Sequence, residues 1–300
     1  MLGERDMSGA SSSVEAASFP KRGEPTKKPK VSETLREFSA GIIQGAVIAG
    51  TFSPWDRALY LSVKDQKPFF EPSCWRNPYQ GFLNGMLQRT LSAGLYFPLF
   101  DFYIKPLREL IPGKDGSKSI YSTVLAGNFA GVTSGVVLNS LCVVKYGNWG
   151  SEVSALQTAK LLFRRGGIRT FFNATGTTAM RDAIFGTVYA GIRYQIASSE
   201  SPSKYQSMFA SVVAGGTGTV ISSPLNYARN MKYAAGAAGL PSPSMGTIFA
   251  ELFSDTLKEE RQFAYLQGRL RVGWGTARVG IGMAAGFELY EYLKVNLPQF

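Results

Sequence analysis

The chain has 300 residues, with 32 Lys and Arg against 21 Asp and Glu, giving a formal net charge of +11 at neutral pH. It contains no histidine, which excludes Ser-His-Asp and Cys-His catalysis and His-based metal sites. Its two cysteines, Cys74 and Cys142, exclude a disulfide scaffold and a four-cysteine zinc site. A mean hydropathy near zero reads as soluble, but that average conceals how the charges are distributed.

Residues 1–36 are rich in Ser, Lys, Pro and Glu, with seven basic and five acidic residues and no apolar run. They read as a disordered tail, with no signal-peptide core and too many acids for a cleaved transit peptide. Three long stretches then lack any formal charge: Phe38–Trp55 (18 residues), Ser119–Val144 (26) and Tyr205–Ala228 (24). Each reaches the roughly 18–20 residues needed to cross a bilayer as a helix. Between and after them lie apolar segments interrupted by charge. Gly81–Lys105 carries Arg89, Phe171–Arg193 carries Arg181-Asp182, and Gly268–Lys294 carries Arg269, Arg271, Arg278 and Glu288. A charge near the bilayer centre is costly unless it faces a bundle interior or water. The expectation is an all-α membrane protein with six transmembrane helices, the odd ones charge-free and the even ones carrying an inward arginine. Small residues recur every fourth position in the odd spans: Gly41 and Gly45, then Gly127, Gly131 and Gly135, then Ser211 and Gly215 with Ala214 and Gly218. Such rows allow close helix contact in lipid.

The odd spans superpose in sequence. Ser53-Pro54-Trp55-Asp56-Arg57-Ala58-Leu59 aligns with Asn139-Ser140-Leu141-Cys142-Val143-Val144-Lys145, and then with Ser223-Pro224-Leu225-Asn226-Tyr227-Ala228-Arg229. The register points Pro54, Ser140 and Pro224 lie 86 and 84 residues apart. Downstream turns read Tyr79-Gln80-Gly81, Phe172-Asn173-Ala174 and Leu266-Gln267-Gly268, followed by Arg89, Arg181 and Arg278 at spacings of 92 and 97. This is a threefold internal repeat. Its copies run over about 37–117, 118–203 and 204–300, and together they form one domain, 37–300, rather than two.

These residues resemble the mitochondrial carrier family, whose signature is Pro-x-Asp/Glu-x-x-Lys/Arg at the end of each odd helix. An aromatic-x-Gly turn and a mid-span arginine follow in each even helix. The most family-like stretches are Arg165–Phe172 with Arg181-Asp182, and Tyr290-Glu291-Tyr292-Leu293-Lys294. The resemblance implies three tandem helix pairs with pseudo-threefold symmetry, short matrix helices, and a multi-pass location in the mitochondrial inner membrane. It implies a matrix gate at Pro54, Asp56, Lys145, Pro224, Asn226 and Arg229, in which the acid of one repeat pairs with the base of the next. Only Asp56–Lys145 keeps both charges, because Cys142 and Asn226 stand where acids are expected and Leu59 where a base is expected. Arg57 lies about 200° round the helix from Leu59 and does not replace it. Two lost pairs imply a weakened matrix gate. The opposite gate is implied at Asp101 and Lys105 and, in full, at Glu291 and Lys294.

The resemblance also implies substrate contacts at Gln88, Arg89, Arg181, Asp182 and Arg278. Arginines hold carboxylate or phosphate bidentately. An acid beside Arg181 suits an ammonium group, which favours an amino-acid-like or carboxylate substrate over a nucleotide. The Arg-Arg-Arg-Met-Met-Met run of the ADP/ATP carrier is replaced by Arg229-Asn230-Met231-Lys232. Cardiolipin is implied at Gly81, Gly167 and Gly268. Lys and Arg balance across the two sets of loops once the tail is included, so orientation follows from the resemblance. No phosphate loop, dinucleotide fingerprint, EF-hand loop or metal cluster appears, and no basic stripe suits nucleic acid. No cofactor and no enzymatic activity are expected. Two functions stand: exchange of a small solute by alternating access, or a carrier-fold structural subunit of a respiratory or other membrane complex that has lost transport.

Overall fold

The structure, a computed structural model, describes residues 31–112, 119–149, 151, 153–196 and 203–298. Residues 1–30 of the expected tail and the first repeat boundary near 117 lie outside the described residues. The elements are α1 (Val31–Lys64), α2 (Pro72–Trp75), α3 (Phe82–Leu110), α4 (Ile120–Val137), α5 (Asn139–Asn148) and α6 (Ala155–Gly166). A 3-10 segment (Gly167–Phe172) follows, then α7 (Thr175–Ile196), α8 (Lys204–Ala238), α9 (Met245–Lys258), α10 (Gln262–Leu270) and α11 (Trp274–Asn296). Among the described residues the secondary structure is helical throughout, with no strand. Helix α1 starts at Val31, ahead of the expected tail boundary at 36. Glu33, Leu35, Arg36 and Glu37 are good helix formers, and they extend the span outward.

The long helices close a ring. Helix α1 packs on α3, α3 on α4, α4 on α7, α7 on α8, α8 on α11, and α11 back on α1. Helices α1 and α8 contain 34 and 35 residues, or about 50 Å each at 1.5 Å per residue. That exceeds the roughly 30 Å hydrocarbon core. By length and composition alone, α8 is apolar enough to cross a membrane, and α4 with α5 qualifies as one span bent by 53°. Among the described residues, the other long helices are not apolar enough to qualify by themselves. They nevertheless expose large apolar side chains. On α3, Leu83, Leu87 and Leu91 are 71%, 47% and 40% exposed, a stripe at i, i+4 spacing on the outside of the ring.

The short helices behave differently. Helix α9 buries Ile248, Leu252 and Thr256 on one face, the pattern of an amphipathic surface helix. Helix α6 begins with a complete capping box between Ser154 and Gln157, which satisfies orphan N–H groups. These elements gather at the end where α1, α5 and α8 finish, and so does the buried core. One cluster joins Ala58, Tyr60, Leu61, Cys74, Cys142, Val143, Tyr146, Trp149, Leu162, Ala174 and Tyr233. A second joins Val63, Tyr227, Ala228, Ile248 and Leu252.

Proline does not break the odd helices here. Pro54 and Pro224 lie inside the continuous helices α1 and α8. The interrupted span is the one with Ser140 at that register: it breaks at Leu138, between α4 and α5. Asn139, 1% exposed, supplies the reason. Its Nδ2 donates to the carbonyls of Phe171 (3.0 Å) and Asn173 (2.9 Å), and its Oδ1 accepts from Tyr233 Oη (2.7 Å) and Thr178 Oγ1 (3.2 Å). A fully satisfied buried amide thus pins the start of α5 to the turn before α7 and to α8.

Candidate functional site

Asp56 stands at the centre of the interior. Arg278 of α11 donates from Nη2 to Oδ2 at 2.6 Å, and its Nε lies 2.6 Å from Oδ1 as an ion contact without hydrogen-bond alignment. Arg89 of α3 donates from Nη2 to Oδ2 at 3.1 Å. Three elements far apart in sequence therefore share one carboxylate. The ring of Phe52 lies under Arg278, 5.0 Å from Cζ, and places an apolar wall behind a charge-assisted fork. The pair is one expected substrate arginine from each of two repeats, and the acid is the expected gate residue of the first.

The Asp56–Lys145 ion pair implied by the family pattern is not formed. Both residues line the same small cavity of about 20 Å³, with Ser53 and Arg89, but Lys145 donates instead to Gln88 Oε1 at 2.8 Å. Its ammonium also lies over the rings of Tyr146 (4.9 Å) and Trp149 (5.3 Å). The physical reason is competition. Two guanidinium groups already fill the oxygens of Asp56, and Lys145 finds an amide and two π-faces nearby. A cavity of this size holds about one water, and of the two arginines on Asp56 it is lined by Arg89.

The third expected arginine stands apart from this cluster. Arg181 pairs with its neighbour Asp182 on α7, and its guanidinium faces Phe185. Asp182 is packed against α4 at Gly135, where a Cβ would collide with its carboxylate. Asn226 accepts from Arg229 Nη2 at 2.7 Å within α8, so the third repeat pairs its base with its own amide. Arg57, 4% exposed, turns away from the gate to Cys74 O (3.0 Å) and Gln80 Oε1 (3.0 Å).

Without ion pairs, aromatic packing closes the end of the odd helices. The ring of Tyr146 stacks on Tyr233 (centroids 4.9 Å, 15°) and packs on Tyr60 (4.7 Å) and Trp149 (5.0 Å). No motif predicted this cluster. Its signal in the sequence is aromatic residues falling one or four positions after the gate bases and acids. At the other end, Asp101 and Lys105 are exposed and no ion pair joins them. Glu291 is 8% exposed, and Lys294 is half-buried.

The glycines expected to bind lipid divide. Gly81 adopts φ +73 at the start of α3, and a Cβ there would press on Asn148 and Trp149, so glycine is required. Beside it opens a surface cavity of about 380 Å³, bounded by Tyr79, Phe82, Leu83, Asn84 and Asn148, with the α6 N-terminus at Ser154. Gly167, at φ +62, starts the 3-10 segment, one segment before α7. Gly268 is a correction: it lies inside α10, and the chain reverses further on, at Arg271 (φ +60) and Gly273 (φ +107). The last long helix therefore begins at Trp274, later than the Gly268 start that the alignment implied. The thiol of Cys74 is pushed up by burial and by the nearby Asp65 carboxylate, which leaves it an inert core group.

No protein-family model matches the chain. A calcium-binding mitochondrial carrier protein of Dictyostelium discoideum is 25% identical over 310 residues, covering 94% of this chain and 38% of the relative. The chain therefore spans well under half of that protein's length. A mitochondrial substrate carrier family protein S of the same organism is 25% identical over 244 residues, covering 73% of this chain and 85% of the relative. With the repeated motifs, these matches support reading the chain as a divergent relative of the mitochondrial carriers.

Proposed function

We propose that this chain is a six-span carrier of the mitochondrial inner membrane that exchanges a small anionic or zwitterionic metabolite by alternating access. The observation that carries the reading is the partly buried Arg89–Asp56–Arg278 cluster, which holds one carboxylate between guanidinium groups of two even helices. Two arginines and one acid leave a net positive charge in the ring, and Lys145 adds to it. An incoming carboxylate fits where Asp56 now sits, and Arg181 with Asp182 offers a second, zwitterion-suited point on α7. Amino-acid-like or carboxylate solutes are therefore favoured over nucleotides. The six-span arrangement is supported by the closed ring of long helices, their exposed apolar faces and the inward arginines. Anionic lipid headgroups, cardiolipin among them, are the proposed ligands of the cavity beside Gly81, where α6 presents its N-terminus.

Purified protein in liposomes is expected to exchange labelled amino acids or keto acids, and Arg181→Ala is expected to abolish uptake. Unchanged uptake in that variant removes Arg181 from the substrate path.

A second reading is favoured by a specific observation: every arginine expected to meet substrate is satisfied by an internal acid, and the one ionic gate pair is not made. On that reading the chain is a structural subunit of a respiratory or other membrane complex. Failure to exchange amino acids, keto acids or nucleotides, together with tight co-purification in such an assembly, would decide for it.

A further inference from the structure

Among the described residues, two guanidinium groups at the end of the odd helices, those of Arg229 and Arg271, make no ion pair, and the carboxylates of Asp182 and Asp56 act on them only from beyond contact distance. Arg229 is 7% exposed. Its Nη2 reaches only neutral groups, Asn226 Oδ1 and Tyr146 Oη (3.4 Å), and its Nε is buried with no hydrogen-bond partner. Arg271, in the turn before α11, has both Nε and Nη2 buried without a partner, and so has Tyr60 Oη. Tyr60 and Arg229 flank one ring, that of Tyr146, and the Arg271 charge acts on both Tyr60 and Tyr146. Tyr60 packs on Tyr146 at 4.7 Å, and Arg229 lies 5.8 Å from the Tyr146 centroid. Arg271 is held down to about 10 by burial, with Arg229 repelling it, and it remains a cation at neutral pH. The residues at the acid positions of this end are Cys142 and Asn226, both neutral. A buried donor left unmade costs free energy, and a buried unbalanced charge costs more.

We propose that Arg229, Arg271 and Tyr60 form a binding site for a small oxyanion of the phosphate type, which supplies the negative charge that Cys142 and Asn226 no longer provide and locks this end shut. The site is separate from the Arg89–Asp56–Arg278 cluster, and its occupation does not depend on the chain transporting anything. The three donor elements, α1, α8 and the α10–α11 turn, belong to the first and third repeats, so an anion between them ties the beginning of the ring to its end. Two sources could provide the chemistry, free phosphate or a phospholipid headgroup.

The test is thermal unfolding of the full chain, reconstituted in phosphatidylcholine vesicles and followed by tryptophan fluorescence, in phosphate and in chloride at equal ionic strength. Phosphate is expected to raise the midpoint by about 3 °C or more in a saturable manner. Arg229→Gln and Arg271→Gln are each expected to lose that shift. Asn226→Asp places a carboxylate where Arg229 Nη2 already donates at 2.7 Å. It is expected to raise the midpoint in chloride and to abolish the response to phosphate, a gain that remains readable if the arginine variants fold poorly. A shift seen only when cardiolipin replaces phosphate assigns the site to a headgroup. No shift from either source, or an equal shift in the Arg229→Gln and Arg271→Gln variants, overturns the proposal. So does an Asn226→Asp variant no more stable than the parent.

Discussion

Asp56 shows how far a single side chain's role depends on its neighbours. The sequence places it in a gate motif, and the fold gives it to two arginines on other helices. Replacing it by asparagine keeps the volume and removes the charge, leaving the Arg89 and Arg278 guanidinium groups without their shared carboxylate. Breaking one side of a partly buried ion cluster leaves uncompensated charge. Since Arg89 and Asp56 keep roughly a third of their side-chain surface exposed, solvent screening reduces the penalty. Asp56→Asn is expected to cost about 1–3 kcal/mol, measured by chemical unfolding in detergent. Added small carboxylates are expected to restore part of that loss, because the freed guanidinium groups then have an external ligand. No restoration by any carboxylate would mean that the arginines serve only Asp56. The arginines themselves were legible in the sequence, since a charge inside an apolar span must face inward. Their partner was not, because pairing depends on which helices meet and at what depth.

The break between α4 and α5 belongs to the scale of the element. Asn139 occupies the register where the other repeats have Ser53 and Ser223, yet those helices run on unbroken. An amide can donate twice and accept twice in one place, and a serine hydroxyl cannot. Asn139→Ser is expected to leave the Phe171 or Asn173 carbonyl unsatisfied and to cost about 2–3 kcal/mol, read as a lower unfolding midpoint. A midpoint equal to the parent's would show that the break does not depend on this network. The small-residue rows were legible as a pattern and misleading in detail. A Cβ at Gly41, Gly45 or Gly131 would meet nothing within 4 Å, whereas Gly215 and Gly218 abut Met283 and Phe185. Spacing marks which helix faces can approach, and only packing decides which ones do.

At the scale of the whole molecule, the repeats are tied in a cycle at the ends of the odd helices. Trp149 Nε1 donates to Gln80 O at 2.8 Å, joining the first repeat to the second. Asn173 Nδ2 donates to Lys232 O at 2.7 Å, joining the second to the third. Arg269 Nη1 donates to Val63 O at 2.6 Å, across 206 residues, and so joins the third to the first. Its Nη2 also reaches Tyr227 Oη at 3.2 Å, with the Tyr227 ring beneath the guanidinium at 5.4 Å. Arg269→Met is expected to cost about 2–3 kcal/mol, and to speed proteolysis at the α10–α11 turn before other sites. Stability and cleavage pattern equal to the parent's would show that the ring closes without this contact.

By itself the sequence determined the helical class, because that follows from where charge is absent along the chain, and it raised the threefold register, the arginines within apolar spans and the neutral residues at Cys142 and Asn226 as expectations. Tertiary structure decided which acid meets which base, where the odd helices break, and that aromatic packing rather than ion pairs closes one end. It also decided which guanidinium groups, among the described residues, are left without an ion pair. Charge spacing is a property of one strand of chain and can be read along it. Pairing, burial and desolvation depend on distances between helices up to two hundred residues apart, and those distances exist only once the ring has closed.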